Sequence, residues 1–352
     1  MTAQYCIAVD AMGGDFGPRV TVPAALDALE RHPSLTILLV GHQDQIASVL
    51  KRLGHSEHPR IELLHAETVV AMDERPTFAL RRRKDSSMYI ALQAVAAGQA
   101  QACVSAGNTG ALMVMGRGIL QMLPGIDRPA ITSAIPTMRG YSHMLDLGAN
   151  VDCSAEHLLQ FAIMGSVMLK AVAHIESPTV ALLNIGAEEI KGNEQVKLAS
   201  RLLAEQPDLN YIGFVEGDGV FSGKADLVVC DGFVGNIALK SSEGLARLIS
   251  RKVRKSFSRN VYRRLLALLA RPVIHELQQQ LDPGKQNGAS LLGLQGIVIK
   301  SHGGANRNCF AHAIDQAVSE VEMNIPGRIS EHLEHYLINS SDPASAGRSN
   351  YP

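Results

Sequence analysis

Ala102-Cys-Val-Ser-Ala-Gly-Asn-Thr-Gly-Ala111 is the stretch from which the fold is read. A short apolar run ends in Ser105, a Gly-Asn turn follows, and Ala111-Leu-Met-Val-Met115 begins a helical pattern. Glycine lets a backbone approach a ligand closely, and the first N–H groups of a helix lack intrahelical partners. A strand, a glycine turn and a helix start together make an anion site. Related turns recur at Asp10-Ala-Met-Gly-Gly-Asp15, Asp146-Leu-Gly-Ala-Asn150, Asn184-Ile-Gly-Ala-Glu188, Asp231-Gly-Phe-Val-Gly-Asn236 and Ser301-His-Gly-Gly-Ala-Asn306. Most follow an apolar run and precede a helix-like segment. In a parallel α/β sheet, turns of this kind gather beyond the carboxyl ends of the strands. The expectation is one rim that carries all six.

Outward from that stretch, strands and helices alternate. Strand patterns cover Tyr5–Val9, Leu35–Val40, Ile61–His65, Thr179–Asn184, Tyr211–Glu216, Asp226–Cys230 and Ile297–Ser301. Helical spacing marks Pro23–Arg31, Asp44–Leu53, Ala155–Ile175, Glu194–Glu205, Asn306–Val321 and Glu331–Leu337, and Asp85-Ser-Ser87 caps a helix through Ala97. Ile131–Ile135 and Ser142–Asp146 form a hairpin pattern around Met138-Arg-Gly140, so the sheet is expected to be mixed. The segment from Arg60 to Thr77 shows no clear period beyond its strand and is expected to cross the surface. The alternation gives an α/β fold with a largely parallel sheet.

Composition narrows the function. The chain has 352 residues, 46% hydrophobic and 19% charged, which suits a large packed core and excludes wholesale disorder. A net charge of −1 gives no general attraction to nucleic acid or membrane, so any such attraction is local. The five cysteines are scattered and none is paired at metal spacing, which fits reduced thiols in a cytoplasmic protein. No secretory leader is expected before Tyr5, and no apolar run reaches the ~20 residues of a membrane span. G-x-x-x-x-G-K-[ST], G-x-S-x-G and H-E-x-x-H are all absent, which disfavours ATP hydrolysis, serine-hydrolase chemistry and zinc proteolysis.

Any single Gly-Asn turn is weak evidence, because turns favour these residues for steric reasons alone. Lys191 lies between the Gly186 loop and the helix start at Asn193, where a cation can clamp an anion. At ~4 Å and an effective dielectric near 20, one such pair gains about 4 kcal/mol before desolvation. A solvated loop lysine is an equally good reading. Among thirteen histidines, His302 has the best context, directly after a strand and opening a His-Gly-Gly turn. Ser105, Cys103 and Ser301 have no base in their local motifs and read as packing residues. From Gly244 to His275 there are nine basic residues and no acid. Within that stretch Val261, Tyr262, Leu265, Leu266, Leu268 and Leu269 fall on one helical arc, with Arg263, Arg264 and Arg271 outside it. An acidic partner, an anionic membrane and a subunit interface all fit.

Ile7-Ala-Val-Asp-Ala-Met-Gly-Gly-Asp-Phe-Gly-Pro18, Arg82-Arg-Lys-Asp-Ser-Ser-Met88, Ser105-Ala-Gly-Asn-Thr-Gly-Ala111 and Lys191-Gly-Asn-Glu194 resemble the bacterial acyl-[acyl-carrier-protein]:phosphate acyltransferase family. Asp231-Gly-Phe-Val-Gly-Asn236 and Lys300-Ser-His-Gly-Gly-Ala-Asn306 do so as well, and the resemblance runs from about Ile7 to Val321. It implies a three-layer, Rossmann-like α/β/α fold related to isopropylmalate dehydrogenases and phosphotransacetylases. It also implies a homodimer with no cofactor and no metal. The reaction implied is fatty acyl transfer from acyl carrier protein to inorganic phosphate, whose acyl phosphate feeds a membrane glycerol-3-phosphate acyltransferase in phospholipid synthesis. A phosphotransacetylase-like enzyme using acyl-CoA is the alternative.

Read from the residues against that chemistry, the candidate catalytic residues are Lys191, His302 and Asn236, with His302 or Asn236 as donor to the oxyanion or the leaving sulfur. Candidate phosphate and substrate contacts are Asp10, Gly13, Gly14, Asp15, Ser105, Gly107, Asn108, Thr109, Asn150, Asn193, Asp231, Gly303, Gly304 and Asn306. Val261, Tyr262, Arg263, Arg264, Leu265, Leu266 and Leu269 are the candidate membrane or carrier-protein contacts, and nucleic acid is not expected as a partner. Residues 1–338 are expected to form one α/β acyltransferase domain, with 243–281 a basic amphipathic helical hairpin and 339–352 a disordered tail.

Overall fold

A computed structural model describes residues 5–273 and 288–341. The outer parts of two expectations, residues 274–281 of the hairpin and 342–352 of the tail, lie outside the described residues.

Eleven strands form one sheet: β1 Tyr5–Asp10, β2 Leu35–Gly41, β3 Ile61–His65, β4 Ala102–Ser105, β5 Ala130–Thr137, β6 Gly140–Leu145, β7 Thr179–Leu183, β8 Asn210–Val215, β9 Leu227–Val229, β10 Ala289–Leu292 and β11 Ile297–Lys300. Their order is β3-β2-β1-β4-β11-β10-β5-β6-β9-β7-β8. Helices α1 Pro18–Arg31, α2 Gln43–Arg52 and α10 Arg307–Glu322 pack on one face over β1, β2, β4 and β11. On the same face, α6 Ala155–Val172, α7 Glu194–Ala204 and α11 Ile325–Ser341 cover the other half. The opposite face buries Ala8, Cys103, Met144, Ala181, Val228 and Val298 beneath α3 Pro76–Arg82, α4 Ser87–Ala96, α5 Thr109–Leu120 and the start of α8 Gly232–Phe257. Alternate residues of each strand therefore enter different cores, as the two-residue period of a strand requires. The result is the expected three-layer α/β/α arrangement.

The caps follow the sequence closely. Ser86, Asn108, Ser154, Asn193, Asp231 and Asn306 each accept a backbone N–H in the first turn of the helix they precede. The elements differ from the sequence pattern in places. Helix α1 begins at Pro18 and continues through Pro23, because Thr21–Leu26 are buried and that burial outweighs the one backbone bond a proline removes. Strand β10 and helix α3, four and seven residues long, are too short to declare a period and escaped the sequence reading.

The expectation of a single rim is corrected by strand direction. β3, β2, β1, β4 and β11 run parallel, but β10 is antiparallel to both β11 and β5, and β5 is antiparallel to β6. Parallel pairing of β6, β9, β7 and β8 then carries the reversed direction to the far edge. The carboxyl ends of β1, β4 and β11 thus open at one edge of the sheet, and those of β6, β7 and β9 at the other. The six turns form two groups of three.

Candidate active site

At the first edge, the loops after β1, β4 and β11 interlock. Asp10 is buried, and its two carboxylate oxygens accept from Ser87 Oγ and Ser105 Oγ, each at 2.6 Å. Burial raises the Asp10 pKa, and these hydroxyls oppose that rise. Ser105 Oγ also accepts from the Gly107 N–H at 3.0 Å. Asp15 N–H donates to the Gly303 carbonyl at 2.9 Å, which ties the β1 loop to the β11 loop. Gly14 adopts φ +83°, and a Cβ there would lie 2.8 Å from Gly303 O and 2.9 Å from Ala106 Cβ. At Gly13 a Cβ would lie 2.6 Å from Asp10 Oδ2. Only glycine allows three backbones to meet this closely.

Asn108 has a structural task in this arrangement. Its Oδ1 caps α5 through Ala111 N–H at 3.0 Å, and its Nδ2 donates to the carbonyls of Ala71, Met72 and Glu74. The unperiodic segment after β3 is thereby held over the β4 loop. Thr109 opens α5 and is exposed, and Asn306 caps α10 through Cys309 N–H at 2.9 Å.

His302 reaches solvent from the β11 loop, and Gly304 N–H donates to its Nδ1 at 3.1 Å. Desolvation by the surrounding loops lowers the His302 pKa, and Lys240 and Lys300 push it lower still, while Glu243 and Asp15 oppose them. The ring is therefore neutral at pH 7, and a donor at Nδ1 leaves its proton on Nε2.

At the second edge, Asp146 is buried and accepts from the N–H groups of Ile131, Ala149 and Asn150 and from Asn150 Nδ2. Asn150 Nδ2 also donates to Pro129 O at 2.8 Å, so both partners of that amide are structural. Gly232 and Gly235 bring the start of α8 directly against this loop. Asp231, which caps α8, lines a cavity of about 450 Å³ with Asn193, Cys153, His157 and Arg128. Lys191 is exposed on the loop after β7, where Asn184 Nδ2 donates to its carbonyl at 3.2 Å.

The structure thus brings Asp10, Gly13, Gly14, Asp15, Ser105, Gly107, His302, Gly303 and Gly304 into one group. Asn150, Asn193 and Asp231 belong to the other, with Lys191 beside them. Asn236 stands between the groups: it is exposed on the first turns of α8 against Gly148, and Lys240 follows one turn later. Lys240 is close enough to lower the pKa of both His302 and Lys300, so α8 connects the two edges. Ser87, Lys240 and Lys300 are the neighbours that the sequence reading missed as site residues. Each had a signal. Ser87 stands in the Asp85-Ser-Ser87 cap, Lys240 is four residues after Asn236, and Lys300 closes the apolar run Ile297-Val-Ile299. Among the described residues no group of three His, Cys, Asp or Glu side chains could hold a metal.

Helix α9 Val261–Leu269 carries the apolar arc of the basic stretch. Val261, Tyr262, Leu265, Leu266, Leu268 and Leu269 are all exposed, from 40% for Leu266 to 81% for Val261. Arg263 and Arg264 turn back and donate to the Ser256 and Ser258 carbonyls respectively, each at 3.4 Å. An apolar arc this open calls for a covering surface.

A sequence model of the family described as "Fatty acid synthesis protein" matches residues 5–328. The phosphate acyltransferase of Alkalilimnicola ehrlichii is 56% identical over 343 residues, which is 97% of this chain and all of that protein. That of Methylococcus capsulatus is 56% identical over 327 residues, 93% of this chain and 96% of the relative. Among solved structures, a phosphotransacetylase from Streptococcus pyogenes superposes with a TM-score of 0.63 at 17% identity, over 91% of this chain and 94% of the other. A branched-chain phosphotransacylase from Enterococcus faecalis gives 0.58 at 14% identity, over 90% and 99%. At such identities the two structures speak for the fold, and they share the three-layer architecture described above. The full-length sequence matches go further: the chain belongs to the fatty acid synthesis protein family, and within it to the phosphate acyltransferases.

Proposed function

We propose that this chain transfers a fatty acyl group from the thioester of acyl carrier protein to inorganic phosphate, releasing acyl phosphate and the carrier thiol. The observation that carries this reading is the interlocked group of Asp10, Ser105, Gly13, Gly107, His302 and Gly303. It combines close-approach glycines, a buried cation and a neutral histidine at one edge of the sheet. A phosphate oxygen attacks the thioester carbonyl carbon, the carbon–oxygen bond forms, and the carbon–sulfur bond breaks after the tetrahedral intermediate. The thiolate takes a proton to leave as the thiol. Holding phosphate in line with the carbonyl supplies the proximity term, and a donor at the oxyanion supplies the electrostatic one. Direct attack by phosphate is favoured over an acyl-enzyme, because Ser105 is wholly buried and its Oγ already accepts from the Gly107 N–H, and Cys103 is a buried thiol whose pKa is pushed well above its usual range.

Incubating long-chain acyl carrier protein with labelled phosphate is the deciding experiment, with acyl phosphate as the expected product. Efficient turnover with acyl-CoA and none with the carrier would replace this reading with the phosphotransacetylase-like alternative. Lys191→Ala is expected to raise the phosphate KM severalfold in a folded protein if that exposed lysine reaches the phosphate. Unchanged phosphate kinetics would remove it from the site.

Residues 1–338 are taken as one acyltransferase domain with 243–281 as its basic hairpin. A homodimer is proposed because Ile185 and Ile190, which flank the Lys191 loop, are each 79% exposed, and α8 presents Phe233, Ile237, Leu245 and Ile249 to solvent. No described helix is long and apolar enough to cross a membrane. The proposed membrane contact is therefore peripheral and made by α9, which would place release of a labile product near the membrane glycerol-3-phosphate acyltransferase. Full burial of one large aliphatic side chain contributes roughly 1.5–3 kcal/mol, so partial burial of several supports reversible binding. Leu265→Glu with Leu269→Glu is expected to abolish sedimentation with anionic liposomes and to spare turnover in solution. Retained sedimentation together with weakened carrier binding would reassign α9 to carrier docking.

A further inference from the structure

Lys300 ends β11 on the carboxyl side, one residue before the His302 loop, and only 8% of it is exposed. Lysine is almost never buried without a partner of opposite charge. Yet its Nζ donates to two neutral acceptors, the Ala106 carbonyl at 3.3 Å and the Ser301 carbonyl. Those carbonyls belong to the β4 and β11 loops, the same loops that meet Gly13 and Gly14. A peptide's C=O and the following N–H point in opposite directions. Drawing both carbonyls inward fixes the two loops, and the N–H of the Ala106–Gly107 peptide is itself held by Ser105 Oγ at 3.0 Å.

The charges that face Lys300 come from three elements. Asp10 on β1 and Asp15 on the following loop favour its cation, and Lys240 on α8 disfavours it. Neither aspartate neutralises it by contact. The Asp10 oxygens are occupied by Ser87 and Ser105, and Asp15 is exposed. On β4 the adjacent titratable group is Cys103, which stays a neutral thiol. Desolvation, the largest influence, brings the Lys300 pKa down to about 8.

We propose that Lys300 is the buried cation of the phosphate site, fixing the Ala106 and Ser301 carbonyls and supplying the charge that attracts a phosphate dianion to the Asp10–Asp15, Ser105–Gly107 and His302–Gly304 loops. It acts as a positioning residue, through the loops and its field. The assignment rests on the phosphate acyltransferase reading given above. A bound dianion stabilises the ammonium form, so binding above pH 8 takes up a proton, and affinity for phosphate must fall as pH rises. Inorganic phosphate is already the dianion in that range, so its own titration does not contribute.

The test measures the phosphate KM of the full chain from pH 7 to 10. In the unaltered protein it is expected to rise by up to about tenfold per pH unit above pH 8. Lys300→Arg, whose guanidinium stays charged, is expected to flatten that rise. Lys300→Met is expected to give a phosphate KM at least tenfold higher at pH 7 that no longer rises above pH 8, with the carrier-protein KM little changed. A Lys300→Met protein that keeps the native pH dependence would overturn the proposal. A second measurement needs neither substitution nor turnover: the thermal stabilisation of the unaltered chain by millimolar inorganic phosphate is expected to shrink above pH 8. Constant stabilisation across that range would also overturn it. Absence of acyl phosphate from every thioester tried would defeat the transferase reading alone, and the thermal series would still decide Lys300.

Discussion

Replacing His302 by alanine is expected to lower turnover by about 10²–10³-fold, the usual cost of losing one donor to a developing oxyanion. The reason lies in the Gly304 N–H, which donates to Nδ1 and so leaves Nε2 as the protonated nitrogen of a neutral ring. A ring of that tautomer can donate to the thioester oxygen or hand its proton to the departing sulfur. Acid should abolish the effect in the unaltered protein. Protonating Nδ1 would set two donors face to face, and the lowered pKa confines that form to acid pH. Activity is therefore expected to hold through neutrality and to fall as pH drops through the depressed His302 titration. Steady-state kinetics of His302→Ala and Asn236→Ala separate the two candidate donors. A loss of less than a few-fold in His302→Ala, with a large loss in Asn236→Ala, would transfer the role to Asn236.

The second large effect concerns Gly235. It is buried in the first turn of α8, where an added Cβ would collide with the Asp146 carbonyl and press on Cys230 Sγ at 2.9 Å. Both neighbours are fixed. Asp146 is held by four hydrogen bonds, and its backbone N–H donates to the Cys230 carbonyl at 3.0 Å. Relief must come from moving the helix. Overpacking of this kind costs about 3 kcal/mol, and Gly235→Ala is expected to lower the melting temperature by several degrees. Displacing α8 also moves Asn236 and Lys240, so activity is expected to fall even in the folded fraction. Thermal denaturation followed by circular dichroism reads the first effect. A variant that melts with the parent would mean that the α8 start yields more easily than its contacts imply.

Much of this molecule is written locally in its sequence. Strands such as Ile297-Val-Ile299 announce themselves by apolar runs, and helix starts by Asn108, Ser154, Asn193, Asp231 and Asn306, because a strand or a cap depends on a handful of adjacent residues. The same locality made Gly13, Gly14, Ser105, Gly107 and His302 readable as candidates, and the tertiary structure brings them to one edge.

Strand direction is not encoded this way. The four-residue β10, inserted between β11 and β5, and the β5–β6 hairpin reverse the second half of the sheet. Identical-looking turns after β1 and β6 therefore open at opposite edges, and Lys191 is separated from His302 within one chain. Burial of charge is equally non-local. Lys300 reads in sequence as the polar end of a strand, and only the packing of the β4 and β11 loops around it removes its water. The sequence by itself determined most of the elements, their caps and the family. The tertiary structure alone decided which loops meet and which lysine is desolvated, because both depend on contacts between residues up to about two hundred positions apart.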